Sequence, residues 1–271
     1  MNITIATTNI LFGGFSVPRG QWGVFLWVAV HAVMAWIRSS IVFRLLHLKQ
    51  SHLSVSSLVH AHHPDILIVN EVFPLLNRPI FEYLTATYTT VVKSSGERFS
   101  HDMVSSTVVA TIFDAEPFDI SIPGKTHGGA AGVIIPEKKL AVVGVHLASL
   151  DKPERTRQIR WLADEILLLQ KKGLDVVAGG DFNAEHDEIV RTDDRIEKTG
   201  LCDCAIASFP RADLLRGIQP FWWWPIRWRY KFTKTPWAID HIFIPDSWHV
   251  SSIETVQTPS DHQALVVSIA S

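Results

Sequence analysis

An α/β (α+β) fold follows from three features of the 271-residue sequence. Short runs of β-branched and aliphatic residues recur along it. Several are apolar on consecutive positions, as strands buried on both faces must be. Between them lies sequence with the apolar spacing of helices. Strands and helices interleave, and neither an internal repeat nor a linker breaks the pattern, so one domain over 1–271 is expected.

In chain order, residues 3–10 alternate β-branched side chains and read as a strand. Residues 51–63 suit a helix that Pro64 ends, because proline disfavours helical backbone in the residue before it. Residues 65–71 (Asp-Ile-Leu-Ile-Val-Asn-Glu) read as a buried strand, and 104–113, 131–135 and 140–147 as three more. Over 154–170, Ile159, Leu162, Ile166 and Leu169 share one helical face, and Gly173 supplies a C-terminal stop. Residues 175–178 form a buried strand that runs into Gly179-Gly180-Asp181-Phe182-Asn183. Strands at 239–244 and 264–269 complete the set.

Composition narrows the function. Apolar residues at 47% and charged residues at 19% exclude a disordered chain. A net charge of -2 excludes a protein that is basic all over and binds nucleic acid by charge alone. The two cysteines, Cys202 and Cys204, are too few for a disulfide framework and too close to suit pairing with each other, so a reducing compartment is expected. Charge is unevenly placed. Residues 1–64 hold no acid and carry +4, which leaves -6 on 65–271.

The strands share a second property: polar residues sit at their ends. Asn9, Glu71, His146 and Asp181 each lie at or near the carboxyl end of an apolar run, and Asp240 lies within one. Side chains there project into the crevice where sheets of this kind place ligands. Each has an ordinary reading alone: a turn-forming Asn, a solvated Glu, a satisfied core His, an Asx turn. The ordered set of Asn9, Glu71, His146, Asp181 with Asn183, Asp240, and Asp261 with His262 has no such reading.

That set resembles the endonuclease/exonuclease/phosphatase superfamily, which includes DNase I, exonuclease III-type repair enzymes, neutral sphingomyelinases and inositol-polyphosphate 5-phosphatases. The resemblance runs through Thr8-Asn9-Ile10, Asn70-Glu71-Val72, Gly144-Val145-His146-Leu147, Gly180-Asp181-Phe182-Asn183, Ile239-Asp240-His241-Ile242-Phe243 and Ser260-Asp261-His262. It implies a DNase I-like two-sheet sandwich flanked by helices, with a groove at one edge that hydrolyses a phosphoester using Mg²⁺ or Mn²⁺. Asn9, Glu71 and Asp261 would supply hard oxygen ligands to the metal. Asp181 would orient or deprotonate the attacking water, and Asn183 would hold that water or a phosphate oxygen. His146 and His262 would donate to charge growing on the non-bridging oxygens, with Asp240 fixing the His262 tautomer. The abasic-site nucleases of the superfamily tend to carry Tyr where His146 stands, so the resemblance leans away from them.

Two stretches exceed the superfamily pattern. Asn9 and Glu71 are 62 positions apart, which leaves about 13–50 as extra sequence. Within it, residues 22–37 hold three of the ten tryptophans and, of ionisable residues, only His31. As a helix this run would be ~24 Å long, short of the ~30 Å hydrocarbon core. Cleaving it as a signal peptide would discard Asn9. An interfacial or re-entrant segment is expected, against the alternatives of a packed apolar helix or a dimer contact.

The second stretch, about 216–237, is rich in Trp and Arg: Trp222, Trp223, Trp224, Arg227, Trp228 and Arg229. It precedes the Asp240 strand and so should rim the site. Two occupants suit it, single-stranded nucleic acid gripped by stacking and phosphate contacts, or an anionic membrane surface. Together, 22–37 and 221–232 favour the membrane. The expectation is a cytoplasmic phosphodiesterase, peripheral or monotopic at the membrane, acting on lipid-linked or headgroup phosphate. A nuclease of the same fold is the alternative.

Overall fold

The computed structural model describes residues 2–10, 41–72, 78–94, 97–100, 103–123, 129–148, 151–205, 238–258 and 262–270, with backbone alone at 41–51, 97–100, 103–105 and 197. Two sheets stack face to face. In the first the order is β12 (His249–Val256), β13 (Ala264–Ala270), β1 (Ile3–Asn9), β2 (Ile66–Val72), β5 (Met103–Thr111) and β3 (Thr90–Lys93), with β4 (Glu97–Ser100) also paired to β5. In the second it is β10 (Leu201–Asp203), β11 (Asp240–Pro245), β9 (Asp175–Asp181), β8 (Leu140–His146), β7 (Gly129–Ile135) and β6 (Glu116–Phe118). The pairs β1–β2 and β8–β9 are parallel and the other pairings antiparallel, so both sheets are mixed.

Helices α1 (Ile41–His62) and α2 (Arg78–Thr87) accompany the first sheet, and α3 (Lys152–Lys171), α4 (His186–Thr192) and α5 (Arg195–Lys198) the second. The consecutive apolar runs are explained by this layering. On β8, Leu140 and Val142 pack between the sheets while Ala141, Val143 and Val145 pack under Ile159, Leu162 and Ile166 of α3. On β2, Ile66 and Ile68 face the other sheet while Leu67 and Val69 meet Val55, Leu58 and Val59 of α1. Asp151 starts α3 by accepting the Glu154 N–H at 2.9 Å, as an N-cap should.

Three of the boundaries that differ from those read in the sequence bear on the site and its surroundings. The helix expected over 51–63 begins ten residues earlier, at Ile41, so the end of the extra 13–50 stretch is continuous with it. The buried strand expected at 175–178 runs on to Asp181. Asp240 opens its strand rather than lying within it, because β11 starts where its pairing with Asp181 starts. Cys202 is exposed, Cys204 is buried, and both are free thiols.

The registers place the polar strand ends together. Asn9 lies opposite Asn70 on β2, His146 opposite Asp181, and Asp181 opposite Asp240. β13 runs antiparallel to β1 and begins at Ala264, just after His262 and at the same end of the sandwich.

Candidate active site

The two sheets deliver the site residues by different local devices. On β2, Val69 and Val72 both pack under the helices although three positions apart, and the register with β5 shifts between them. This bulge puts two successive residues, Asn70 and Glu71, on the site side. It holds Glu71 at φ 61°, a left-handed conformation that costs a non-glycine residue about 1–2 kcal/mol. Strain of this kind gathers at functional sites. On β9, Gly180 at φ 132° lets the strand turn, and a Cβ there would overlap the Val145 carbonyl oxygen. The next residue, Asp181, is the last of β9, and its side chain meets Asn9, His146 and His262 at the strand ends.

Asp181 is the hub, only 2% exposed. Its Oδ2 accepts from Asn9 Nδ2 at 3.0 Å, and its Oδ1 accepts the Asn183 N–H at 2.8 Å. His146 Nε2 and His262 Nε2 each stand 3.8 Å from Oδ2, beyond a hydrogen bond but within the span one bridging atom fills. His146 Nε2 is also 3.8 Å from Glu71 Oε1. His262 Nδ1 donates to Asp240 Oδ2 at 2.8 Å; the carboxylate can only accept, which puts a ring proton on Nδ1 and turns Nε2 toward Asp181. Asn183, at φ 50°, donates its side-chain amide to the Leu147 carbonyl at 2.9 Å. Burial pushes the Asp181 carboxyl above its ordinary value and the Asp240 charge adds to this, while His262, His146 and the Asn183 N–H pull the other way. A raised carboxyl pKa suits a group that takes a proton from water.

Of the residues singled out in the sequence, Asn9, Glu71, His146, Asp181, Asn183, Asp240 and His262 are therefore brought to one end of the sandwich. Asp261, and Trp222, Trp223, Trp224, Arg227, Trp228 and Arg229, lie outside the described residues. Sequence reasoning missed Asn70, which is fully buried and bridges the sheets. With its amide oxygen on the Asp181 N–H (2.7 Å), its nitrogen meets Val145 O and Thr107 Oγ1, each at 3.2 Å. Two adjacent polar residues closing an apolar strand, Asn70-Glu71, are the sequence signal of the bulge that makes this reach.

The donor set fits a hard divalent cation. Asn9 and Glu71 present amide and carboxylate oxygens, with Glu71 fixed by a strained bulge. Asp181, Asp240 and His262 also offer one ligand atom each within 4.8 Å of one another. Oxygen donors of this kind suit hard divalent ions better than soft ones.

Comparison with known proteins agrees with the geometry. The sequence pattern of the Endonuclease/Exonuclease/phosphatase family matches residues 7–262. Truncated Caenorhabditis elegans TDP2 has a similar structure, with TM-score 0.64 and 16% identity over 100% of this chain and 98% of that one. D. rerio TDP2 complexed with single-strand DNA product gives TM-score 0.58 and 13% identity over 100% and 99%. An endonuclease/exonuclease/phosphatase from Beutenbergia cavernae gives 0.64 and 13% over 99% and 71%. No curated protein sequence matches the chain. At these identities the structural likeness carries the fold; the match across 7–262, on a sandwich whose strand ends converge on Asp181, carries the family. The chain belongs to the Endonuclease/Exonuclease/phosphatase family and is a metal-dependent phosphoester hydrolase.

Proposed function

We propose that the protein is a phosphodiesterase working at a membrane surface on a lipid-linked or headgroup phosphate. The observation that carries this reading is where the two Trp-rich stretches attach. Residues 11–40 leave from the site end of β1 and return at the start of α1. α1 leads back to the far end of the sandwich, where Asp65 N–H meets the Thr4 carbonyl at 2.7 Å before β2 begins. Residues 206–237 leave after β10, which runs toward the site, and return at Asp240. Both stretches are thus tethered at the end that carries Asp181.

The length of α1 points the same way. Its 22 residues span about 33 Å, whereas the seven-residue β2 it covers spans about 23 Å. Val55, Leu58 and Val59, near its end, are the residues packed on the sheet. The helix is thus longer than the strand, and its first residues, Ile41-Val42-Phe43-Arg44-Leu45-Leu46, are apolar but for Arg44. Among the described residues no helix is long and apolar enough to cross a membrane.

In the proposed chemistry Asn9 and Glu71, with Asp261, would hold a Mg²⁺ or Mn²⁺ ion. When bound, the ion neutralises phosphate charge and orients the scissile group. Asp181 orients the attacking water and accepts its proton, helped by the buried setting that raises its pKa. Asn183 holds that water or a phosphate oxygen. His262, whose Nδ1–H is accepted by Asp240, donates from Nε2 to the phosphoryl oxygens in its doubly protonated form, and His146 donates beside it as charge grows on them.

A nuclease is the second reading, favoured by the likeness to a TDP2 structure that holds a single-strand DNA product. Co-sedimentation separates the two. Binding to anionic vesicles that keeps an apolar component at high salt, and that weakens when Trp222, Trp223 and Trp224 become Ala, is the expected result. No sedimentation with any vesicle, beside tight salt-sensitive single-stranded DNA binding lost in that variant, would replace the membrane reading with the nuclease.

A further inference from the structure

Behind the site, on the helix-covered side of the second sheet, lies a charged pair that the chemistry above does not use. His241 directly follows Asp240, and its side chain has no exposure to solvent. Its Nδ1 meets Asp203 Oδ2 at 2.8 Å and its Nε2 meets the Ala184 carbonyl oxygen at 2.8 Å. Both partners are acceptors, so both ring nitrogens donate and the ring is an imidazolium. The Asp203 carboxylate also takes His186 Nδ1 at 2.8 Å and the Ala205 N–H at 2.9 Å. The ring is held in place by Phe182, edge-on at 5.2 Å between centroids, and by Phe243, stacked at 5.7 Å.

Ala184 is the residue after Asn183. Asp181, Phe182 and Asn183 form the turn that carries the carboxylate hub and the left-handed Asn183. The front of this turn is held by Leu147, whose N–H meets the Asp181 carbonyl and whose own carbonyl takes the Asn183 amide. The back is held by His241 through the Ala184 carbonyl. A buried imidazolium is an expensive way to hold one carbonyl unless the position of that carbonyl matters.

We propose that His241 is a positioning residue for hydrolysis: held by Asp203, it fixes the Asp181–Asn183 turn through the Ala184 carbonyl. The proposal rests on the hydrolase reading, and it makes the aim of Asp181 and Asn183 depend on a hydrogen bond from outside the site. His241→Leu removes the donor and keeps much of the volume. His241→Gln returns one amide donor that reaches for the same carbonyl.

The test measures kcat and KM for bis-p-nitrophenyl phosphate with Mg²⁺, well below each melting temperature. Beside it, the backbone amide resonance of Asn183 and the ring nitrogens of His241 are followed by ¹⁵N NMR. His241→Leu is expected to lower kcat at least about tenfold with KM within about threefold, since misplacing a reacting group by about 1 Å costs up to 10²-fold. His241→Gln is expected to recover part of that loss and to return the displaced Asn183 amide toward its wild-type position. Wild-type protein should show one histidine, absent in His241→Leu, with both ring nitrogens protonated.

A kcat for His241→Leu within about twofold of wild type would overturn the proposal, because an effect that small is negligible beside the misplacement expected. So would a His241→Gln variant no better than His241→Leu. Should His241→Leu fail to fold, Asp203→Ala takes its place: a displaced Asn183 amide and a lowered kcat support the proposal, and an unchanged amide and kcat refute it. Should wild type hydrolyse no phosphodiester, the hydrolase reading fails by itself, and the two NMR results still decide whether His241 fixes the turn.

Discussion

Replacing Asn70 by Leu should weaken the architecture of the site and its chemistry together. The two side chains are similar in size, so little cavity is made and the loss is one of hydrogen bonds. Asn70 is fully buried, and its amide meets the Asp181 N–H at 2.7 Å and Val145 O and Thr107 Oγ1 at 3.2 Å. A buried group left without its partner costs about 1–3 kcal/mol. With three contacts removed at the low end of that range, the variant should be about 3 kcal/mol less stable. At roughly 2–4 °C per kcal/mol for a domain near this size, the melting temperature should fall by roughly 6–12 °C. Turnover should fall too, because this side chain ties Glu71's bulge on the first sheet to Asp181 on the second. Thermal unfolding by circular dichroism and hydrolysis of bis-p-nitrophenyl phosphate at 20–30 °C below the midpoint, roughly the margin that keeps the variant folded, measure both. A midpoint within about 2 °C of wild type, with unchanged turnover, would refute the claim that Asn70 spans the sheets.

Other outcomes follow from the same geometry. His262→Ala should lower kcat by about a hundredfold or more, and Asp240→Asn by less, since it leaves the ring in place but frees its tautomer; steady-state kinetics checks the order. Glu71→Gln should raise the Mg²⁺ or Mn²⁺ concentration needed for half-maximal rate, read from a metal titration, by removing a ligand charge. Burial acts to raise the Asp203 carboxyl, but the His241 ring, the Ala205 N–H and His186 outweigh it and hold it below its ordinary value. A folded-state pKa below the unfolded one of about 3.9 stabilises the protein above that pH, and the contribution is lost as pH falls through the folded value. Urea midpoints should therefore favour wild type over Asp203→Asn near neutrality, with the gap closing in acid. A gap that does not change with pH would contradict the pairing.

The buried strands and their polar ends were legible because each apolar run stops at a residue that cannot be left in a core. Asn9, Glu71, His146 and Asp181 all announce themselves in this way. What was not legible is what burial does not write. The edge strand β12 is exposed along most of its length and has no apolar alternation to detect. β6 and β10 have three residues each, too few for a period. The helix over 41–50 was hidden because its apolar sequence also suits an insertion. His241 reads as an ordinary member of its motif, and its pairing with Asp203 across β10 and β11 is a tertiary fact. The basic and aromatic stretch at about 216–237 was legible as composition, whereas the place where the chain leaves for it and returns, between β10 and β11, needed the topology.

Metal-dependent hydrolysis centred on Asp181 is the central claim. The direct measurement is the initial rate of bis-p-nitrophenyl phosphate hydrolysis by wild type and Asp181→Ala, in excess EDTA and after adding back Mg²⁺ or Mn²⁺. The account predicts no wild-type rate in chelator, recovery with either ion, and a rate for Asp181→Ala at least about a hundredfold lower under the same conditions. A wild-type rate that survives excess chelator, or full activity in a folded Asp181→Ala variant, would contradict it.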